Sequence, residues 1–151
     1  MPRRSSSGCV FCQIANGELP AHVVHRDEEV LLILDRSPLV RGHVLAMPVR
    51  HVETLDDLPD DLLGPLFGAV RRVSAAVQRA LDAEGSFVAT NTRVSQSVPH
   101  VHVHVVPRRK GDGLFSTRLV WQRQKYESET EMAETASKIR DAYDAVSGRT
   151  T

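Results

Sequence analysis

Hydrophobic positions recur along the chain with two periods, and the switch between them marks the elements. Val30–Leu34 is an unbroken aliphatic run of strand length, flanked by Glu28, Glu29 and Asp35. His43–Met47 predicts the next strand, set off by the turn residues Ser37, Pro38, Arg41 and Gly42 and ended by Pro48. A short strand is expected at Val23–His25, and before it a short helix at Phe11–Asn16, closed by Gly17 and broken by Pro20. From residue 62 the spacing becomes helical: Leu62, Leu63, Leu66, Phe67, Val70, Val73, Val77 and Leu81 fall on one stripe. Asp57 is placed to cap this helix, with Pro59 in its first turn. Pro65 removes one helical hydrogen bond and predicts a bend. The pattern fades at Ala83–Gly85.

Strand-like segments return at Ser86–Thr90 and Val101–Val106, the latter ended by Pro107. Lys110–Gly113 is turn-like, and Leu114–Tyr126 shows no clear period. From Glu129 on, Met132, Ala136, Ile139, Tyr143 and Val146 mark a second amphipathic helix, ended by Gly148. Short strands interrupted by one long helix predict an α+β fold: an antiparallel sheet of about five strands, a long central helix and a C-terminal helix. No repeat or linker divides the 151 residues, so a single domain is expected. Residues 1–8 form a polar tail, 9–113 the core, and 114–151 an extension whose helix packs on the same domain.

Composition narrows the partners. Nineteen basic and nineteen acidic residues cancel, which argues against broad binding to nucleic acid or an anionic membrane. No run is long and apolar enough to span a bilayer, and the two arginines of the first residues precede no apolar stretch. A cytoplasmic, reducing setting is therefore expected. There the pair Cys9 and Cys12 reads as a metal half-site or a redox pair rather than a structural disulfide.

The chemistry concentrates in His100-Val101-His102-Val103-His104-Val105-Val106. On a strand, alternate side chains share a face, so the valines point into a core and the imidazoles line the other side, roughly 7 Å apart at Cβ. A solvated strand face would more ordinarily carry Thr, Lys or Glu. Residue type alone leaves metal binding and covalent catalysis both open, because neutral imidazole serves either.

The stretch Gln96-Ser97-Val98-Pro99-His100-Val101-His102-Val103-His104-Val105-Val106 resembles the signature of the histidine triad (HIT) family. The resemblance runs back through Asp35-Arg36-Ser37-Pro38 and Arg41-Gly42-His43-Val44-Leu45 to Cys9-Val10-Phe11-Cys12, covering roughly 9–113. It implies a HIT-like fold and a purine nucleotide substrate, by family habit one of adenosine, attacked at its α-phosphate. His102 would be the nucleophile of a covalent nucleotidyl intermediate, with a nucleoside monophosphate released by hydrolysis or transfer. His104 would stabilise the phosphoryl charge and Ser97 lie near the leaving group, with Gln96 beside it. Asp35 would bind the ribose hydroxyls, Asn91 the phosphate, and Val10, Phe11 and Ile14 the base. The resemblance also implies a homodimer.

Relatives with this Cys-x-x-Cys pair, a bacterial-type pattern, complete a structural zinc site with two histidines. By that resemblance the ligands are Cys9, Cys12, His51 and His100. One departure stands out: the segment Thr92–Ser95 contains no glycine where relatives often have several. Arg93 is a candidate to reach the phosphates in compensation. Further basic residues, Arg108, Arg109, Lys110, Arg118, Arg123 and Lys125, read either as a solvated face or as contacts to the leaving group, and Trp121 as a buried residue or a second stacking platform. Two rival readings remain: a zinc hydrolase that uses all three triad histidines as ligands, and a nucleotide sensor with little catalysis.

Overall fold

The computed structural model describes residues 8–115 and 123–147. Its strands are β1 (Val23–Arg26), β2 (Val30–Leu34), β3 (Val44–Pro48), β4 (Gly85–Ala89) and β5 (Val103–Arg108). The helices are α1 (Val10–Ala15), α2 (Asp60–Leu81) and α3 (Glu129–Ser147), with a 3-10 turn at Leu55–Asp57. The strands form one antiparallel sheet in the order β1-β2-β3-β5-β4. This is the expected α+β architecture.

The two sheet faces carry different layers. Leu32, Leu34, Val44, Ala46, Val103 and Val105 pack beneath α2 and α3 in one continuous core. Leu31, Ile33, Leu45 and Met47 face the other way, against Phe11, Cys12 and Ala15 of α1. Strand β2 is thus buried on both faces, which is why its sequence is aliphatic without alternation. The C-terminal helix belongs to the main core: Met132, Ala136, Ile139 and Tyr143 are buried with the inner stripe of α2.

Several boundaries differ from the sequence expectation, each for a local reason. Helix α2 starts at Asp60 with Pro59 as its N-cap, so Asp57 does not cap it. Leu58 precedes a proline and is held extended at φ −66°, ψ 119°, which stops the helix from running back to Asp57. Asp57 instead closes the 3-10 turn, its carboxylate accepting from the Thr54 hydroxyl at 2.7 Å. Strand β5 begins at Val103 rather than Val101, because the backbone before it is committed elsewhere: Val101 N–H donates to Val52 O at 2.7 Å and His100 N–H to Val98 O at 2.8 Å. Nor does Pro107 end β5. It pairs with Ser86 of β4, while the last β3 pair is Val44 with Val105, so on that side no strand awaits its missing donor. Residues 1–7 of the expected tail, Arg118, Trp121 and the helix-ending Gly148 lie outside the described residues.

The turn between β2 and β3 carries Asp35 and His43 into the site, and Gly42 shapes it. Its φ is +95°, a Cβ there would run into the Leu81 side chain, and its N–H donates to the Tyr126 hydroxyl at 2.8 Å. Gly42→Ala therefore combines a left-handed backbone penalty with overpacking. A loss of about 2–4 kcal/mol is expected in urea unfolding. An unchanged midpoint would contradict this role.

Candidate active site

The site lies on the α1 side of the sheet, where β5 enters. Val101, Val103 and Val105 are buried toward α2, and the intervening histidines turn to the opposite face. His104 sits within β5, between Leu45 of β3 and Ala89 of β4. His102 lies just before the strand, with its carbonyl held by the Thr90 hydroxyl at 2.8 Å. Phe11 meets it edge-on, with ring centroids 5.0 Å apart, and the His104 ring is also 5.0 Å away.

Hydrogen bonds assign the ring protons. Nδ1 of His102 lies 2.8 Å from the His100 carbonyl, which can only accept. His102 thus carries its proton on Nδ1 and keeps a lone pair on Nε2. Leu39 N–H donates to Nδ1 of His43 at 3.1 Å, so His43 is protonated on Nε2. That N–H donates to Nδ1 of His104 at 2.9 Å, which leaves His104 with an Nε2–H. Burial favours neutral rings throughout. It pushes His43 down to about 3 and His104 to about 4, with the neighbouring histidine and Arg123 adding to the effect. Burial also lowers His102, opposed by the His100 carbonyl and by Asp35.

His100 faces a different cluster. Its Nδ1 lies 3.4 Å from Cys9 Sγ and 3.5 Å from Cys12 Sγ, while Nδ1 of His51 is 3.3 Å from Cys12 Sγ. Tetrahedral zinc, with Zn–S near 2.3 Å and Zn–N near 2.0–2.1 Å, sets neighbouring S and N atoms about 3.5 Å apart. All four ligand atoms lie within 4.8 Å of one another. Nε2–H of His100 donates to Pro48 O at 2.8 Å, which frees Nδ1 as a ligand. Burial raises the Cys12 thiol to about 12, helped by Cys9, so the pocket holds Cys12 as a thiol that a bound cation would deprotonate. These four residues fit a closed metal site. The three triad histidines do not converge on one point: among the described residues, the candidate ligand groups are this one and Asp35, His43 and His104.

Asp35 sits at the end of β2 with its side chain 13% exposed. Ser37 N–H donates to Oδ1 at 2.9 Å, and Arg123 to Oδ2 at 3.3 Å. Burial raises its carboxyl, against the lowering effect of those two donors. Phe11 is buried, Ile14 packs partly buried beside it, and Val10 is 44% exposed. Asn91 and Ser97 are exposed on the loop before the triad. The Asn91 amide donates to Ser95 O at 3.3 Å, and Gln96 is engaged with the Glu53 carbonyl at 2.6 Å and Arg93 N–H at 2.8 Å. Arg93 and Ser95 both adopt left-handed φ, 65° and 62°, where glycine would be easier. The Arg93 guanidinium turns to Asp56 at 3.4 Å. In the sequence His43 is an isolated histidine with no periodic partner and no assigned role, and Arg123 belongs to a basic set open to two readings, a solvated face or contacts to the leaving group.

Comparisons with known proteins match the chain to one family. A family model described as the HIT domain matches residues 16–111. An uncharacterized HIT-like protein of Methanocaldococcus jannaschii is 45% identical over 107 residues, covering 70% of this chain and 82% of that protein. An adenylylsulfatase of Arabidopsis thaliana is 31% identical over 134 residues, covering 87% and 68%. The crystal structure of a zinc-bound histidine triad family protein from Mycobacterium smegmatis superposes with a TM-score of 0.82 at 33% identity, covering 97% of this chain and all of that one (100%).

The buried neutral histidines make stability depend on pH. In the unfolded chain a histidine takes a proton near pH 6.5, whereas in the fold His43 resists until about 3 and His104 until about 4. The unfolded state therefore binds more protons across this window, and stability falls with pH from about 6.5 toward 4, and is flat above it as far as these groups are concerned. Each group contributes a slope of up to about 1.4 kcal/mol per pH unit. Denaturant unfolding at pH 7, 6 and 5 should show this decline, and a smaller one in His43→Asn. Equal stability at pH 7 and 5 would contradict it.

Proposed function

The chain belongs to the histidine triad (HIT) family, and on that premise we propose that it attacks the α-phosphate of a purine nucleotide conjugate through His102. The observation that carries this is the 2.8 Å bond from His102 Nδ1 to the His100 carbonyl, which leaves Nε2 as a neutral nucleophile inside the cluster. In the first step the Nε2 lone pair forms a bond to phosphorus. The bond to the leaving group breaks, and its electron pair departs with that group. A phosphate or sulfate leaves as an anion and needs no proton. The ring becomes cationic in the adduct, and the His100 carbonyl, still accepting from Nδ1–H, stabilises that charge. The Nε2–H of His104 faces the developing phosphoryl charge as a donor. In the second step water adds to phosphorus, the P–N bond returns its electrons to Nε2, and a nucleoside monophosphate and a proton are released.

Binding roles follow the same reading. Asp35 accepts the ribose hydroxyls; Phe11, Ile14 and the exposed edge of Val10 form the base slot; and Ser97 stands near the leaving group. Asn91 and Gln96 reach phosphate by exchanging the loop bonds they now make. The Arabidopsis relative named as an adenylylsulfatase supports an adenylyl conjugate as the substrate class. His102→Ala should cut turnover of adenylyl conjugates by at least about a thousandfold, with AMP affinity changed less than about threefold. Quenched reactions should show a nucleotidyl adduct on the peptide bearing His102. Near-normal turnover in His102→Ala would rule out the covalent route.

We further propose that Cys9, Cys12, His51 and His100 hold a structural zinc, which would tie α1 to the strand that positions His102. Four protein ligands leave such an ion no open position for water. A homodimer is also proposed, supported by family analogy and by exposed apolar side chains at Leu63, Phe67 and, on the edge strand β4, Val88. Native mass spectrometry tests both. A dimer carrying two zinc ions is expected, with the metal lost in Cys12→Ser. A zinc-free or monomeric species would count against the respective proposal.

A further inference from the structure

Residues 123–126 cross the turn between β2 and β3 and are tied to it along their length. Gln124 N–H donates to Pro38 O at 2.7 Å, and its side-chain oxygen accepts from Arg41 N–H at 2.9 Å. The Lys125 carbonyl accepts from the Arg41 guanidinium at 3.1 and 3.3 Å, and the Tyr126 hydroxyl accepts from Gly42 N–H. Arg123 donates to the Ser37 carbonyl and, at 3.3 Å, to Oδ2 of Asp35. This strap lies outside the 16–111 region matched by the family model.

We propose that Arg123 determines sugar specificity by holding the Asp35 carboxylate in place for a vicinal diol. The inference rests on the nucleotide reading above. Ser37 N–H anchors only one carboxylate oxygen. The groups that face the other oxygen do not hold it. His43 Nδ1, 3.6 Å from Oδ2, accepts from Leu39 N–H and so presents a lone pair. His102 is neutral with its Nδ1–H committed to His100, and among the described residues no hydrogen bond joins the Tyr126 hydroxyl, which accepts from Gly42 N–H, to Asp35. Among the described residues, Arg123 is the one cation bonded to Asp35. Its contact opposes the tendency of burial to protonate the carboxyl. A carboxylate offers roughly four acceptor sites. With Ser37 and Arg123 using two, about two remain for the two hydroxyls of a ribose. Arg123 is thus a positioning residue that acts on the sugar through Asp35.

The test is calorimetric titration of the full-length protein with AMP and with 2′-deoxy-AMP. The unaltered protein should prefer AMP by about tenfold, the worth of one hydroxyl bonded to a charged acceptor. In Arg123→Ala, AMP binding should weaken by about that factor while 2′-deoxy-AMP changes much less, so the preference collapses. Arg123→Lys should restore part of it. Equal weakening of both nucleotides would mean a merely structural role and would overturn the inference. So would tighter AMP binding in Arg123→Ala, which would make Arg123 a competitor for the carboxylate. AMP binding without a sugar preference in the unaltered protein would overturn this inference and leave the nucleotide reading standing. No binding of either nucleotide would overturn both.

Discussion

Strand β5 and the residues leading into it must bury Val101, Val103 and Val105 under α2, and that demand sets everything opposite them. With period two, fixing the valines on the helical side delivers His100, His102 and His104 to the α1 side without further instruction. A one-residue slip would put imidazoles into the aliphatic core and valines on the α1 side, so the hydrophobic layer protects the register of the polar one. The site therefore inherits its precision from packing on the far face of the sheet.

Placement alone does not separate the roles of the three histidines; the backbone does. The chain leaves strand geometry before Val103, and this brings the His100 carbonyl onto the His102 ring while the His100 ring turns to Cys9, Cys12 and His51. One residue thus serves two neighbours, with its side chain toward the thiols and its carbonyl toward the His102 ring. On the other flank, a main-chain N–H at Leu39 fixes His43, and His43 fixes His104. Both chains begin at a backbone group that cannot change its protonation. The ring states are consequently set by the fold rather than by solvent, and burial keeps those rings neutral.

The sheet, the long helix and the split of valines from histidines were legible in the sequence because burial writes its period into the residues. The thiol pair was legible from its spacing as a metal half-site or a redox pair, but its histidine partners only through resemblance, since 39 and 88 residues separate Cys12 from His51 and His100. The failures share a cause. Asp57 has the right chemistry for a cap, but the extended Leu58 before Pro59 moves the helix start onward. Pro107 is a sound strand terminator until the neighbouring strand is known to end first. His43 finds its partner 61 residues away, and Arg123 its partner 88 residues away. No local pattern marks such pairs. The glycine-free loop was visible, yet its consequence, left-handed φ at Arg93 and Ser95 with Arg93 turned toward Asp56, was not.

The proposed attack requires two tautomers: His102 with a free lone pair on Nε2 and His104 with a donating Nε2–H. Long-range proton–nitrogen NMR correlation of the histidine side chains reads both directly at pH 7. The predicted spectrum has His102 protonated on Nδ1 with an unprotonated Nε2, and His43 and His104 protonated on Nε2. A His102 ring protonated on Nε2, or cationic at that pH, would contradict the proposed attack.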